Sequence, residues 1–70
     1  MKEYVTNNVS NLRKEKGVTQ EEFAKSLLVS RQTVVAIEKG NYIPSLLLGI
    51  KIARFFHKSV EEVFEYMYEK

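Results

Sequence analysis

Helix start and stop signals recur at short intervals along this chain and leave room for little besides short helices. Thr19-Gln-Glu-Glu22 is a capping box: the hydroxyl can accept from the amide of Glu22, whose carboxylate reaches back. Ser59-Val-Glu-Glu62 repeats the pattern, and Gly17 and Gly40 stand where helices would stop. Between these marks the apolar residues keep helical spacing: Val9 and Leu12, then Phe23, Ala24 and Leu27, then Val34 and Ile37. Val60, Val63, Phe64 and Met67 continue it, and Pro44-Ser45 opens a further segment. Strand-type alternation is rare. The reading is all-α, with five short helices at about 7–16, 19–27, 30–39, 46–56 and 59–68.

Length limits this to one domain, residues 1–70, since a second would have no room for a core. A chain this short buries only about 60% of its unfolded surface, so a partner subunit is a reasonable expectation. There is no cysteine, which excludes a disulfide staple and fits a reducing compartment. No apolar run approaches the ~20 residues of a membrane span, and a cytoplasmic setting is expected. Net charge is only +2 but uneven. Residues 1–57 carry nine Lys/Arg against five Glu, whereas residues 58–70 carry two Lys against four Glu. A basic body suits an anionic partner, with the acidic tail turned away.

The stretch from Thr19 to Gly40 holds the most information. Its two helices are joined only by Leu28-Val29, too tight for an antiparallel hairpin and suited to the crossed arrangement of a helix-turn-helix. On a wheel of about 100° per residue, Ser30, Val34 and Ile37 of the second helix share one side. Gln32, Val35, Ala36 and Lys39 share the other, with Arg31 at its edge. Gln can pair with adenine, Arg with guanine, and a small aliphatic group can lie against a thymine methyl in the major groove. An ordinary solvated helix is the competing reading, although it would more usually carry Glu and Lys where Val35 and Ala36 stand. Catalysis finds no support: the chain has no Asp, and no nucleophile–base or metal-ligating set can be assembled. The expectation is no catalytic residue, no metal and no cofactor. His57, the lone histidine, reads as a helix-end residue.

Thr19-Gln-Glu-Glu-Phe-Ala24, Val29-Ser-Arg-Gln-Thr-Val-Val-Ala-Ile-Glu-Lys-Gly40, Pro44-Ser-Leu46 and Lys51-Ile-Ala53 together resemble the Cro/CI-type helix-turn-helix family. The resemblance runs over roughly residues 7–64 and implies a five-helix bundle of the lambda-repressor type that binds palindromic operators as a homodimer. Position by position it implies base contacts from Arg31, Gln32, Val35 and Ala36. Phosphate contacts are implied for Gln20, Ser30, Lys39 and Asn41. Gln20 and Ser30 also make physical sense there, because helix N-termini offer free amides to phosphate. Thr33 lies between the buried and outward faces, so packing and a phosphate contact both stay open. Arg13 and Glu38 match a family pair that ties the first helix to the end of the third, a structural role.

Two positions depart from the family pattern. Leu28 stands in the turn where Gly is frequent, because a left-handed backbone there costs a non-glycine residue roughly 1 kcal/mol or more. His57 stands at the end of the fourth helix, where Gly or Asn is common. The fourth helix is apolar nearly all round, with Leu46, Ile50 and Ala53 taken as its core side. Leu47 and Phe55 fall outside that side, and with Tyr66 and Met67 they are the candidate dimer contacts. The function expected is a double-stranded-DNA-binding transcriptional regulator, a homodimeric repressor rather than an activator. An antitoxin or restriction-control protein on the same fold is the alternative within DNA binding. A protein–protein interaction module that has lost DNA binding is the alternative outside it.

Overall fold

Four of the five helices begin at a hydroxyl. In the computed structural model, which describes residues 1–70, α2 (Gln20–Leu27), α3 (Arg31–Glu38), α4 (Leu46–Phe55) and α5 (Val60–Val63) follow Thr19, Ser30, Ser45 and Ser59. Each of these side chains accepts from the backbone amide three residues on, and the boxes at Thr19 and Ser59 are closed by Glu22 and Glu62. Helix α1 (Val9–Glu15) is started differently: the Asn7 side-chain oxygen accepts from the amide of Val9.

The C-terminal ends are equally uniform. After α1, α2, α3 and α4 the chain enters the left-handed region at Gly17, Leu28, Gly40 and His57. At each end one amide reaches back three residues and the next reaches back five, so all four helices close in the Schellman arrangement. Two of the four therefore use a side-chain-bearing residue where glycine is the unstrained choice. Leu28, with φ 61° and ψ 41°, makes the sharp turn between α2 and α3. His57, with φ 57°, ends α4.

Ten apolar residues from all five helices form one core: Val9, Phe23, Ala24, Leu27, Val34, Ile37, Leu48, Ile52, Ala53 and Val63. A fully buried side chain such as Ile52 or Phe23 contributes about 1.5–3 kcal/mol relative to exposure. Helix α4 is turned from the orientation expected of it. Leu48, Gly49, Ile52 and Ala53 face inward, while Leu46 is 77% exposed and Ile50 is half-exposed. A helix apolar on every side does not fix its own orientation by periodicity. In the structure the small residues Gly49 and Ala53 lie on the buried side with Leu48 and Ile52, and the Phe64 ring lies within ordinary contact range of Gly49.

The chain ends depart from an all-helical fold. Lys2–Asn7 (β1) and Phe64–Glu69 (β2) pair as a two-stranded antiparallel ribbon, with Lys2 opposite Glu69, Val5 opposite Tyr66 and Asn7 opposite Phe64. The helix expected at 59–68 is thus four residues long and gives way at Phe64, whose backbone is extended. Val60, Val63, Phe64 and Met67 fit helical spacing, but a partner strand from the other end of the chain supplies the hydrogen bonds instead. The first helix likewise starts at Val9 rather than near Asn7, which belongs to β1. Asn7 fastens the ribbon to the helical body by donating from its amide to the Ile37 carbonyl at 3.0 Å. The Asn8 amide completes the junction on the Val63 carbonyl at 3.1 Å.

Candidate nucleic-acid interface

The candidate surface is built around α3, and its local sequence explains how the helix is held. Val34 and Ile37 are buried and key it into the core. Ser30 caps its first turn by accepting from the Thr33 amide, and the two hydroxyls, 2.9 Å apart, bond each other. Thr33 therefore has a hydrogen-bonded role within the fold at its half-buried position. Arg31, Gln32 and Lys39 are exposed, and Val35 and Ala36 are half-buried between them. Asn41 is exposed just past the helix, its amide closing the C-terminal turn on the Ala36 carbonyl at 2.9 Å.

A buried ion pair fixes where α3 ends relative to α1. Arg13 Nε donates to Glu38 Oε2 at 2.7 Å, and a second guanidinium nitrogen donates to Oε1 at 3.2 Å. A third nitrogen donates to the Val18 carbonyl at 3.0 Å. The geometry is the two-pronged match of guanidinium to carboxylate, the strong form of such a pair. Burial pushes the Glu38 carboxyl up, but donors from Arg13 and Gln20 and the charges of Arg13 and Lys14 outweigh it. The group ends below the ordinary carboxylate range.

Gln20 extends this pair toward the surface, which sequence spacing did not indicate. Its amide nitrogen donates to Glu38 Oε1 at 3.1 Å, and its oxygen accepts from Arg31 at 3.4 Å. Arg13, Thr19, Gln20, Glu21 and Arg31 line an open polar hollow at the start of α2, with two guanidinium groups at one rim of the helix-turn-helix. The turn is held from below as well, because the Lys51 ammonium of α4 donates to the Leu27 carbonyl at the end of α2. A cation there complements the negative end of the helix.

The four candidate dimer contacts do not share a face. Phe55 packs on Phe23 and Phe56 with ring centroids 5.0 and 5.2 Å away, under the Lys16 ammonium, and belongs to the rim of the core. Leu47 is exposed, beside Leu28 and Tyr42 near the turn. Tyr66 and Met67 are consecutive in β2 and so point to opposite sides of the ribbon. Alternation along a strand separates them, whereas the helix expected there would have kept them closer.

Comparison with known proteins agrees with this architecture. The helix-turn-helix family profile matches residues 9–63. An uncharacterised HTH-type transcriptional regulator of Methanocaldococcus jannaschii is 59% identical over 49 residues, which are 70% of this chain and 74% of the relative. A second, from Bacillus subtilis, is 50% identical over 58 residues, 83% of this chain and 88% of the relative. Among solved structures, a transcriptional regulator from Listeria innocua superposes with a TM-score of 0.77 at 32% identity, covering 89% of this chain and 58% of its own. The clp gene regulator ClgR of Corynebacterium glutamicum superposes with a TM-score of 0.71 at 28% identity, covering 77% of this chain and 57% of its own. The chain therefore spans somewhat over half the length of these two solved proteins. With a profile match over most of its length and relatives at half identity or better, the chain belongs to the Cro/CI-type helix-turn-helix family of transcriptional regulators.

Proposed function

We propose that the protein is a sequence-specific double-stranded-DNA-binding regulator that acts as a homodimeric repressor on a palindromic operator. The observation that carries this reading is the outward face of α3. It offers Arg31 and Gln32 as exposed hydrogen-bonding groups and Val35 and Ala36 as small apolar ones, on a helix fixed by Val34, Ile37 and the Glu38 ion pair. Arg and Gln are the side chains that pair bidentately with guanine and adenine, and Val or Ala suits a thymine methyl. Phosphate contacts from Gln20, Ser30, Thr33, Lys39 and Asn41 would set the register in which that face reads bases. Gln20 enters such a contact already oriented by Glu38 and Arg31. Operator occupancy blocks transcription by exclusion. No helix is long and apolar enough to cross a membrane.

The test is selection from random duplexes of about 30 base pairs at near-physiological salt. A dimer would place its reading helices about one helical turn, ~34 Å, apart. An enriched palindrome with that spacing supports the reading. A single enriched half-site keeps DNA recognition and removes the symmetric dimer. No enrichment, with weak and strongly salt-dependent binding alone, refutes sequence-specific recognition.

A further inference from the structure

The ribbon formed by the chain ends has one face that the protein covers only at its inner end, where Val5, Asn7 and Phe64 are half-buried. Directly opposed residues of an antiparallel pair share a face, so Glu3, Val5, Asn7, Phe64, Tyr66 and Tyr68 stand together on one side. That side looks toward α4. Val5 and Phe64 line a cleft of about 160 Å³ with Ile43, Pro44, Leu46 and Gly49. Leu46 is 77% exposed, Ile43 63%, Tyr66 59% and Tyr68 52%. The two tyrosine rings stack at 5.9 Å, extending the apolar strip along the ribbon. The one carboxylate on this face, Glu3, accepts from the Tyr66 hydroxyl at 3.1 Å.

We infer that this strip, from Tyr68 and Tyr66 across Val5 and Phe64 to Leu46 and Ile43, is the surface on which a second copy of the chain docks. The inference rests on the homodimer reading above and names the surface that reading requires. Area is the first argument. Ile43, Leu46, Tyr66 and Tyr68 together leave on the order of 500 Å² exposed, at about 200 Å² for a large side chain. That is in the upper part of the range of apolar patches on monomers and more than half of the ~800 Å² that each partner of a stable pair buries. Composition is the second argument. Tyrosines and aliphatic groups dominate, as at the centre of dimer interfaces, and the one carboxylate, the exposed Glu3, has the Tyr66 hydroxyl as its partner.

Shape is the third. An isologous pair needs projecting and receiving parts on the same surface, and here Leu46 and Tyr66 project beside the cleft lined by Val5, Phe64 and Gly49. The ribbon also has a reason to be covered, because two strands with no further partner are marginal in water. Leu47 and Met67 lie on other faces and take no part.

The experiment is sedimentation equilibrium of the full chain and of Tyr66→Glu, Leu46→Glu and Leu47→Glu variants, with far-UV circular dichroism to confirm folding. The expected result is a wild-type dimer whose dissociation constant rises at least about 30-fold in Tyr66→Glu and in Leu46→Glu. Leu47→Glu is expected to leave it unchanged. Mixed-label wild-type protein gives an independent readout, with intermolecular nuclear Overhauser effects between Tyr66 or Tyr68 and Leu46 or Ile43. A wild-type dimer indifferent to both substitutions and lacking those effects overturns this surface while keeping the homodimer. A wild-type chain that stays monomeric, on operator DNA too, overturns the homodimer reading itself.

Discussion

Replacing Arg13 by Met tests whether the buried ion pair organises the helix-turn-helix. Arg13 sends two donors to Glu38 and one to the Val18 carbonyl, and both partners of the pair have side chains no more than 10% exposed. Arg13→Met leaves the Glu38 carboxylate with Gln20 as its remaining side-chain donor. Breaking a buried pair from one side costs about 3–5 kcal/mol, because the charge left behind is no longer compensated. A chain of this length has a total stability of about 3.5–10 kcal/mol, so the variant should lose a third of it or more. Removing both charges is a different perturbation. Arg13→Met with Glu38→Leu strands no charge and leaves mainly the Val18 carbonyl without its donor, a loss of about 1–2 kcal/mol.

The double variant should therefore be more stable than Arg13→Met alone. Urea titrations of wild type, both single variants and the double variant, followed by circular dichroism at pH 7, complete the cycle. Single losses below about 1 kcal/mol would refute the reasoning. So would a double variant whose loss equals the sum of the singles, since the charges would then be acting independently.

Leu28→Gly should stabilise the fold by about 0.5–1 kcal/mol, because relief of the left-handed strain exceeds the extra chain entropy of glycine and the side chain is 85% exposed. Thermal unfolding checks this: a rise of several degrees is expected, and a fall would show that Leu28 makes a stabilising contact. Glu22, Glu38 and Glu62 all have carboxyl groups held below the ordinary range, Glu22 and Glu62 by their cap hydrogen bonds. Depressed carboxyls bind fewer protons in the native state. Stability should thus be fully present above the unfolded value of about 4.3 and be lost as pH falls below it. Urea midpoints between neutral and acidic pH should follow that course and flatten when Glu38 is replaced by Gln. On the selected operator, Gln32→Ala should cost about 1–3 kcal/mol and relax specificity at one base pair. Equal loss on all duplexes in a binding titration would mark Gln32 as a phosphate contact instead.

Much of the helical frame was legible because its determinants are local. Thr19, Ser30, Ser45 and Ser59 cap through bonds that span three residues, and Gly17 and Gly40 end helices by a conformation glycine adopts freely. The outward set on α3 followed from the same locality, since Val34 and Ile37 fix which side is buried. Leu28 and His57 were visible as departures from a family pattern. The structure gives them the left-handed backbone that glycine would take, held by the same paired hydrogen bonds.

The ribbon had a compositional trace that helical spacing overrode. Lys2-Glu-Tyr-Val-Thr-Asn7 and Phe64-Glu-Tyr-Met-Tyr-Glu69 are rich in aromatic and β-branched residues, but each is a strand only because the other lies beside it. Sequence by itself thus determined where α2 to α5 begin, where α1 to α4 end and which residues α3 turns outward, because those choices rest on neighbours a few positions away. Only the tertiary structure decided that the chain ends pair, that α4 buries Leu48, Gly49 and Ile52 beside the expected Ala53 instead of Leu46 and Ile50, and that Gln20 joins Glu38 to Arg31. Each of those depends on groups distant in sequence, whose meeting is set by the packing of the whole core.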